Sequence, residues 1–136
     1  MGENGLSSTL IGKIGEDVAA FSLKEKGYDL LDRNFLEKFG EIDLITRDRS
    51  GVLVFVEAKT LMAGDSLKPE DNYSLTKEFR TKRICEAFAN KHPEMIAELY
   101  GWRMDLICVE IPPGVSLSDN LTKIASYCEV RHYQNV

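Results

Sequence analysis

Apolar residues near the amino terminus recur at intervals of three and four positions, which is the period of an amphipathic helix. They are Leu10, Ile11, Ile14, Val18 and Phe21. A serine at position 7 or 8 suits the N-cap, and Gly27 suits the C-terminal stop, so a helix is predicted between them. A second stripe of small and apolar residues also contains Glu16. We expect Glu16 to be buried or to line a cleft, unless it is simply an acid favoured by the helix dipole.

A β-hairpin is predicted where polar and apolar residues alternate in two runs, Glu41–Arg47 and Val52–Lys59, on either side of a glycine-containing turn. If the loop is three residues long, Asp43 lies opposite Glu57. Alternation then puts four charged residues on one face, namely Glu41, Asp43, Glu57 and Lys59, and it puts the apolar ones on the other, namely Ile42, Leu44, Val54, Val56 and Ala58. A two-residue loop would send the carboxylates of the two strands to opposite faces.

The remaining elements complete an α/β pattern. They are a short irregular strand (Tyr28–Leu36), a polar loop (residues 60–72), a helix ended by Pro93 (Leu75–Lys91), a short helix or turn (residues 93–101) and two strands (Trp102–Ile111 and residues 122–133). The order α-β-β-β-α-β-β predicts a central mixed β-sheet flanked by helices.

Length and composition fit one globular domain. The 136 residues are 43% hydrophobic, enough for a single core spanning residues 1–136, with residues 1–6 expected to be flexible. The chain has neither an apolar run of about 20 residues nor a basic-then-apolar leader, so we expect a cytoplasmic protein without membrane association. Three separated cysteines, Cys85, Cys108 and Cys128, indicate reduced core thiols instead of disulfides or a zinc site.

The charge balance constrains any nucleic-acid role. The chain has 17 basic and 22 acidic residues, a net charge of −5, so binding to nucleic acid would need a local basic patch or a bound metal. One basic run lies in the first two turns of the predicted helix 75–91; it consists of Lys77, Arg80, Lys82 and Arg83. A solvated helix face is the alternative for this run. With only His92 and His132 present, histidine-centred chemistry is disfavoured. Arg103 and Asp105 are expected to form a structural ion pair.

Three acids and a lysine stand among apolar residues and could converge: Glu16, Asp43, Glu57 and Lys59. Carboxylates buried together are costly unless a cation neutralises them, and oxygen ligands without histidine or cysteine suit Mg²⁺ or Mn²⁺. A lysine two residues beyond a carboxylate on the same strand points the same way and could reach a water or a phosphate. A bound cation and a lysine beside it are groups that can catalyse phosphodiester hydrolysis. A salt bridge from Lys59 to an acid is the structural alternative, and Glu41 either joins the acids, caps a strand end or pairs with Lys59.

The spacing of Asp43 and Glu57-Ala58-Lys59 resembles that of the PD-(D/E)XK, or restriction-endonuclease-like, nuclease superfamily. Longer motifs resemble the YraN-like family of bacterial endonuclease-like proteins within it. These motifs are Gly12-Lys13-Ile14-Gly15-Glu16, Gly27-Tyr28, Arg33-Asn34-Phe35, Gly40-Glu41-Ile42-Asp43-Leu44-Ile45, Val54-Phe55-Val56-Glu57-Ala58-Lys59-Thr60, Lys77, Arg103-Met104-Asp105 and Val130-Arg131-His132-Tyr133-Gln134-Asn135. The resemblance covers residues 10–136, and a series of motifs in order is specific where a lone Glu-x-Lys is not.

The resemblance implies a restriction-endonuclease-like α/β fold, kinship with archaeal Holliday junction resolvases and a divalent-metal site. Glu16 matches the first-helix glutamate of the family, Asp43 and Glu57 match its metal ligands, and Lys59 matches its catalytic lysine. Asp43, Glu57 and Glu16 would then hold Mg²⁺ or Mn²⁺.

Two departures from the family are Ala58, where valine is usual, and Leu61, where a basic residue usually follows the threonine; a phosphate contact is expected to be missing there. Lys77, Arg80 and Arg83 are the expected nucleic-acid contacts. The leading hypothesis is a metal-dependent endonuclease acting on structured DNA, such as branched or junction DNA, and a homodimer is left open. The alternative is a non-catalytic nucleic-acid or protein-binding module that keeps the nuclease fold.

Overall fold

The computed structural model describes residues 8–38, 40–64, 75–96 and 101–136, and for residues 8 and 75–81 it describes the backbone alone. Its elements, in chain order, are α1 (Ser8–Glu25), β1 (Asp29–Glu37), β2 (Gly40–Arg47), β3 (Leu53–Met62), α2 (Leu75–Lys91), a 3₁₀ turn (Pro93–Met95), β4 (Trp102–Ile111), α3 (Leu121–Tyr127) and β5 (Glu129–Tyr133). The residues 1–6 that we expect to be flexible lie outside these ranges.

The strands form one open mixed sheet in the order β1-β2-β3-β4-β5. The neighbours β3 and β4 are parallel, and the other neighbouring pairs are antiparallel. Helices α1 and α3 pack on one face of the sheet, and α2 packs on the other. This arrangement confirms the predicted α/β fold with a central mixed sheet flanked by helices.

Helix α1 ends where the sequence predicts. The N–H groups of Gly27 and Tyr28 donate to the carbonyls of Lys24 and Leu23, each at 3.0 Å. This is the Schellman pattern, and it needs the left-handed backbone that Gly27 adopts at φ 89°. Both predicted stripes of α1 contribute to the core, although Leu10 remains 41% exposed.

Each face of the sheet carries its own hydrophobic core. On the α1 face, side chains of the three central strands pack against Val18 and Leu23, and on the α2 face Phe55 packs against Ile84 and Phe88. A fully buried side chain of this size contributes about 1.5–3 kcal/mol to folding. Two layered cores therefore fix the sheet between helices, and the open ends of its strands remain available for chemistry.

The hairpin register agrees with the three-residue loop. Arg47 pairs with Leu53 and Leu44 pairs with Val56. The N–H of Asp48 donates to the carbonyl of Val52 at 3.0 Å, which leaves residues 49–51 as the loop. Continuing this register by one step brings position 43 opposite position 57.

The predicted division of side chains between the two faces is wrong for Ile42. Leu44 belongs to the core on the α1 face, whereas Ile42 belongs with Ile45 and Phe55 to the core on the α2 face. Strict alternation would keep Ile42 and Leu44 together. The regular alternation of side chains in β2 is therefore broken between these two residues, at Asp43.

Two further predictions need correction. Residues 122–133 do not form one strand, because α3 precedes β5: the Asn120 side chain accepts from the N–H of Lys123 at 2.9 Å as an N-cap, and Ile124 packs in the core on the α1 face. The predicted loop does not start at residue 60, because parallel pairing with β4 extends β3 to Met62; residues 65–72 of that prediction lie outside the described ranges.

The predicted core position of the cysteines is confirmed for Cys85 and Cys108, which are buried, whereas Cys128 is half-buried. Within the described residues, no helix combines the length and the apolar composition needed to cross a membrane.

Candidate metal centre

Asp43 lies where β2 and β3 separate. Backbone pairing between these strands is described from Arg47 back to Leu44. Beyond that point, the Oδ2 atom of Asp43 accepts a hydrogen bond from the N–H of Ala58 at 2.9 Å. A carboxylate thus takes the position of a backbone acceptor in the ladder, and it lies between the two strands, where groups from either face of the sheet can reach it.

The carboxyl groups of Asp43 and Glu57 are hydrogen-bonded to each other. Glu57 is buried, with 5% of its surface exposed. Burial, together with the hydrogen bond and the negative charge of Glu57, raises the pKa of Asp43 to about 8. Asp43 therefore keeps its proton at neutral pH and can donate it to the Glu57 carboxylate.

Two further acids approach Asp43. Glu16 of α1 and Glu41 of β2 each offer a carboxylate oxygen, and these atoms and one of Asp43 all lie within 4.8 Å of one another. We call Glu16, Glu41, Asp43 and Glu57 the acidic cluster. The structure thus brings together the three acids predicted from the sequence, and it adds Glu41, for which the sequence leaves other roles open.

A close contact between α1 and β3 puts Glu16 beside Asp43 and Glu41. A methyl group on Gly15 would come within 1.7 Å of the Thr60 Oγ1 atom, so only glycine permits this packing distance. Gly15 and Glu16 are neighbours on α1, and Thr60 follows Lys59 on β3. The glycine therefore allows the helix to bring its glutamate to the end of the strand that carries Glu57 and Lys59.

Two residues of β1 contact the carboxylate of Glu16. The Arg33 guanidinium donates to Glu16 at 3.5 Å and to Asp17 at 2.7 Å. With its amide oriented so that the nitrogen faces the acid, Asn34 donates to both oxygens of Glu16, at 3.2 and 3.3 Å. Burial and the charge of Asp43 raise the pKa of Glu16, and Arg33 and Asn34 partly oppose that rise.

Lys59 is half-buried on β3, two residues beyond Glu57. Its positive charge acts on Asp43, where it opposes the larger effects of burial and of Glu57 that raise the pKa of that acid. The structure therefore places Lys59 within electrostatic reach of the acidic cluster.

The predicted nucleic-acid contacts are described in part. Arg83 is exposed on α2. Its neighbour Ile84 packs so closely on Gly40 that a methyl group there would lie 2.9 Å from the Ile84 Cδ1 atom. This contact puts the middle of α2 beside the start of β2, next to Glu41. Lys77 and Arg80 also belong to α2, but their side chains lie outside the described residues.

The donor set fits a hard divalent cation. Glu16, Glu41 and Asp43 offer carboxylate oxygens alone, which suits Mg²⁺ or Mn²⁺ and not zinc. The raised pKa of Asp43 beside Glu57 is the second indication, because a cation would replace the proton that Asp43 keeps. Glu16, Asp43 and Glu57, with Glu41 beside them, are the residues that would hold the ion.

A second buried polar group lies on the α1 face, around the guanidinium of Arg103. Its Nε donates to Asp105 at 3.0 Å, and its two NH₂ groups donate to Asp48 at 2.7 Å and to the Tyr28 hydroxyl at 3.0 Å. The ring of His132 completes the group at 2.7 Å from Asp105. We call these five residues the arginine cluster. It confirms the expected ion pair of Arg103 and Asp105.

The sequence analysis missed Asn34 and left the role of Glu41 open. For Glu41 the signal was the alternation that puts it on one face with Asp43. Asn34 was part of a motif in the resemblance, Arg33-Asn34-Phe35, and that membership was the available signal. No periodic pattern could reveal its contact with Glu16, because alternation fails in β1 at Asn34.

Comparison with known proteins identifies relatives over most of the chain. The model of the family described as "Uncharacterised protein family UPF0102" matches residues 15–109. A UPF0102 protein of Dictyoglomus turgidum is 35% identical over 103 residues, which are 76% of this chain and 84% of that protein. A UPF0102 protein of Thermodesulfovibrio yellowstonii is 33% identical over 99 residues (73% and 84%), and one of Caldicellulosiruptor bescii is 31% identical over 114 residues (84% and 90%).

Proposed function

The chain belongs to UPF0102, the YraN family, and we propose that it is a divalent-metal-dependent endonuclease that hydrolyses phosphodiester bonds of structured DNA, such as branched or junction DNA. The observation that carries the proposal is the hydrogen bond between the carboxyl groups of Asp43 and Glu57, with Glu16 and Glu41 beside them. Burying these acids together is costly, and although Arg33 and Lys59 lie near them, Asp43 still keeps a proton at neutral pH that a cation would replace.

The bound ion, Mg²⁺ or Mn²⁺, would offset the negative charge that develops on the phosphoryl group and make a water molecule more acidic. Asp43, Glu57 and Glu16 would hold the ion. Lys59 would orient or deprotonate the attacking water and stabilise charge on the phosphate, because its ammonium group lies on the same strand as Glu57. These roles need no histidine.

The charge distribution supports contact with DNA on one side of the molecule. The chain as a whole carries a net charge of −5, which disfavours non-specific coating of DNA. Lys82 and Arg83 are exposed on α2, whose middle lies beside the start of β2. We propose that Arg83, together with Lys77 and Arg80, contacts phosphates near the acidic cluster.

Cleavage of defined DNA substrates tests this function. The purified chain is incubated with Mg²⁺ or Mn²⁺ and with linear, single-stranded, flapped and four-way-junction DNA, and EDTA serves as the metal-free control. We expect cation-dependent cleavage of the branched substrates. Lys59→Ala should lower turnover by a factor on the order of 10²–10⁴, since a positioned lysine acts mainly in the transition state, and it should leave DNA affinity and Mn²⁺ binding nearly unchanged.

Lys123→Ala is the matched control, because it removes one positive charge from the exposed surface of α3. It should cleave like the wild type. If the wild type cleaves no substrate with either cation, and Lys59→Ala only shifts stability by about 1 kcal/mol as loss of a partly exposed ion pair would, the proposal fails. A non-catalytic binding module would then be the function that the fold serves.

A further inference from the structure

Asn34 has an unusual backbone for a residue within a strand. Its φ is 52°, in the left-handed region, and among the described non-glycine residues only Asn135 shares a positive φ. Side chains with a β-carbon are disfavoured there, and asparagine is one of the few that tolerate it. A conformation of this kind persists when surrounding contacts demand it.

At Asn34, the side chains of β1 and of its neighbour β2 change the sheet face to which they point. Arg33 pairs with Leu44, and Phe35 pairs with Ile42. Leu44 packs in the core on the α1 face, whereas Phe35 and Ile42 pack together on the α2 face. The regular alternation of side chains between the two faces is therefore broken in both strands between these two pairs. The residues at the break are Asn34 in β1 and, opposite it, Asp43 in β2.

The reversal keeps the side chain of Asn34 on the side of α1. Regular alternation would direct it away from Arg33, toward α2. Instead, the Asn34 amide reaches the Glu16 carboxylate at 3.2 and 3.3 Å, next to the Arg33 guanidinium, which lies 3.5 Å from the same carboxylate. A bidentate amide contact fixes the plane of a carboxylate, and Arg33 is held more closely by Asp17, at 2.7 Å.

We propose that Asn34 is a positioning residue for Glu16: its left-handed backbone and its amide together aim the Glu16 carboxylate at Asp43 and Glu41. The proposal rests on the proposed function in one respect, that Glu16 is a cation ligand. Hydrogen-bonding partners of ligand residues commonly fix their orientation in this way. The amide of Asn34 contacts Glu16, so its effect on a bound cation would pass through that carboxylate.

Glycine at position 34 separates the two contributions of Asn34. Glycine adopts a φ of 52° without strain but lacks the amide. Asn34→Gly should therefore keep the fold and its melting temperature while releasing the Glu16 carboxylate. Asn135→Gly is the matched control, because Asn135 also has a positive φ, of 57°, but its backbone N–H binds Asp105 in the arginine cluster.

Titration calorimetry with Mn²⁺ tests the proposal on the full chain without any DNA. Asn34→Gly should weaken Mn²⁺ affinity by about 10-fold or more, within the 10–100-fold range seen for such supporting residues. Asn135→Gly should bind Mn²⁺ like the wild type. In a Glu16→Gln background, Asn34→Gly should have no further effect, because the double variant isolates the coupling between the two residues.

The proposal is overturned if folded Asn34→Gly binds Mn²⁺ within about twofold of the wild type, if its loss of affinity persists undiminished in the Glu16→Gln background, or if the wild type binds no Mn²⁺. Its failure can be told from failure of the nuclease function. Wild-type DNA cleavage with unchanged Mn²⁺ affinity in Asn34→Gly removes the positioning role alone. The expected pattern of affinities without any DNA cleavage removes the nuclease function alone.

Discussion

The acidic cluster and the arginine cluster each contain an aspartate of the same sheet, but the pKa of that aspartate is raised in the first and lowered in the second. Asp105 is fully buried, yet it accepts hydrogen bonds from Arg103 and from the N–H of Asn135 and contacts His132. Burial opposes its ionisation, but these partners more than compensate and lower its pKa. In Asp43, burial and Glu57 dominate and raise the pKa.

The two clusters differ in what compensates the charge of their buried acids. Through one guanidinium and its partners, the arginine cluster joins Asp48 beside the hairpin loop, Tyr28 just before β1, and the strands β4 and β5. Its charges are satisfied by the chain itself. In the acidic cluster Asp43 keeps a proton at neutral pH, and under the proposed function a cation would replace it.

The largest expected effect concerns the arginine cluster. Asp105→Asn should lower the free energy of unfolding by about 3–5 kcal/mol, because it leaves the Arg103 charge buried without its main partner. Urea unfolding at pH 7 measures this loss. The same substitution in the other cluster, Asp43→Asn, should not destabilise the cation-free chain. Equal losses for both variants would erase the distinction between the clusters.

The next effect concerns the packing that forms the acidic cluster. Gly15→Ala should destabilise the chain by about 1–3 kcal/mol, because its methyl group overlaps Thr60 and forces α1 away from β3. It should also weaken Mn²⁺ binding, since Glu16 moves with the helix. Thermal unfolding and calorimetry measure the two changes.

Gly12→Ala is the control for that change, because nothing lies within 4 Å of the position where its methyl group would stand. It should stabilise α1 by about 0.5–1 kcal/mol through helix propensity alone. If both alanine variants stabilised the chain and bound Mn²⁺ equally, the close contact at Gly15 would have no part in building the site.

A third effect is a dependence of stability on pH. The folded chain holds a proton on Asp43 that the unfolded chain releases, so rising pH favours unfolding between the ordinary pKa of 3.8 and about 8. We expect the free energy of unfolding of the cation-free chain to fall from pH 5 to pH 8, by up to about 1.4 kcal/mol per pH unit.

Asp43→Asn should flatten this slope, and saturating Mg²⁺ should oppose it by stabilising the ionised form. The lowered pKa of Asp105 has the opposite consequence: its contribution is present above its ordinary pKa and is lost only at lower, acidic pH, so it leaves this window unchanged. A cation-free wild type whose stability rises from pH 5 to pH 8 would contradict the raised pKa of Asp43.

Several elements could be predicted from local pattern because local contacts decide them. Helix α2 and strand β4 have the predicted bounds, and Gly27 ends α1 by its own backbone geometry. For the hairpin, the sequence left two loop lengths open, and the structure has the register of the three-residue loop. The closing segment was the exception: its pattern also suits a helix, and the Asn120 cap together with the contact of Ile124 with the core selects α3.

The sequence by itself determined which residue types could make a metal site, because charged residues within apolar runs are visible in one dimension and the period of a strand relates Glu57 to Lys59. Only the tertiary structure decided how these residues meet. The reversal of β1 and β2 at Asn34 and Asp43, the approach of α1 at Gly15 and the arrival of Glu41 beside Glu16 all depend on contacts between elements distant in the chain. Periodicity predicts to which face each side chain of an isolated strand points. Packing of the sheet against two different helices can override that alternation at a single residue.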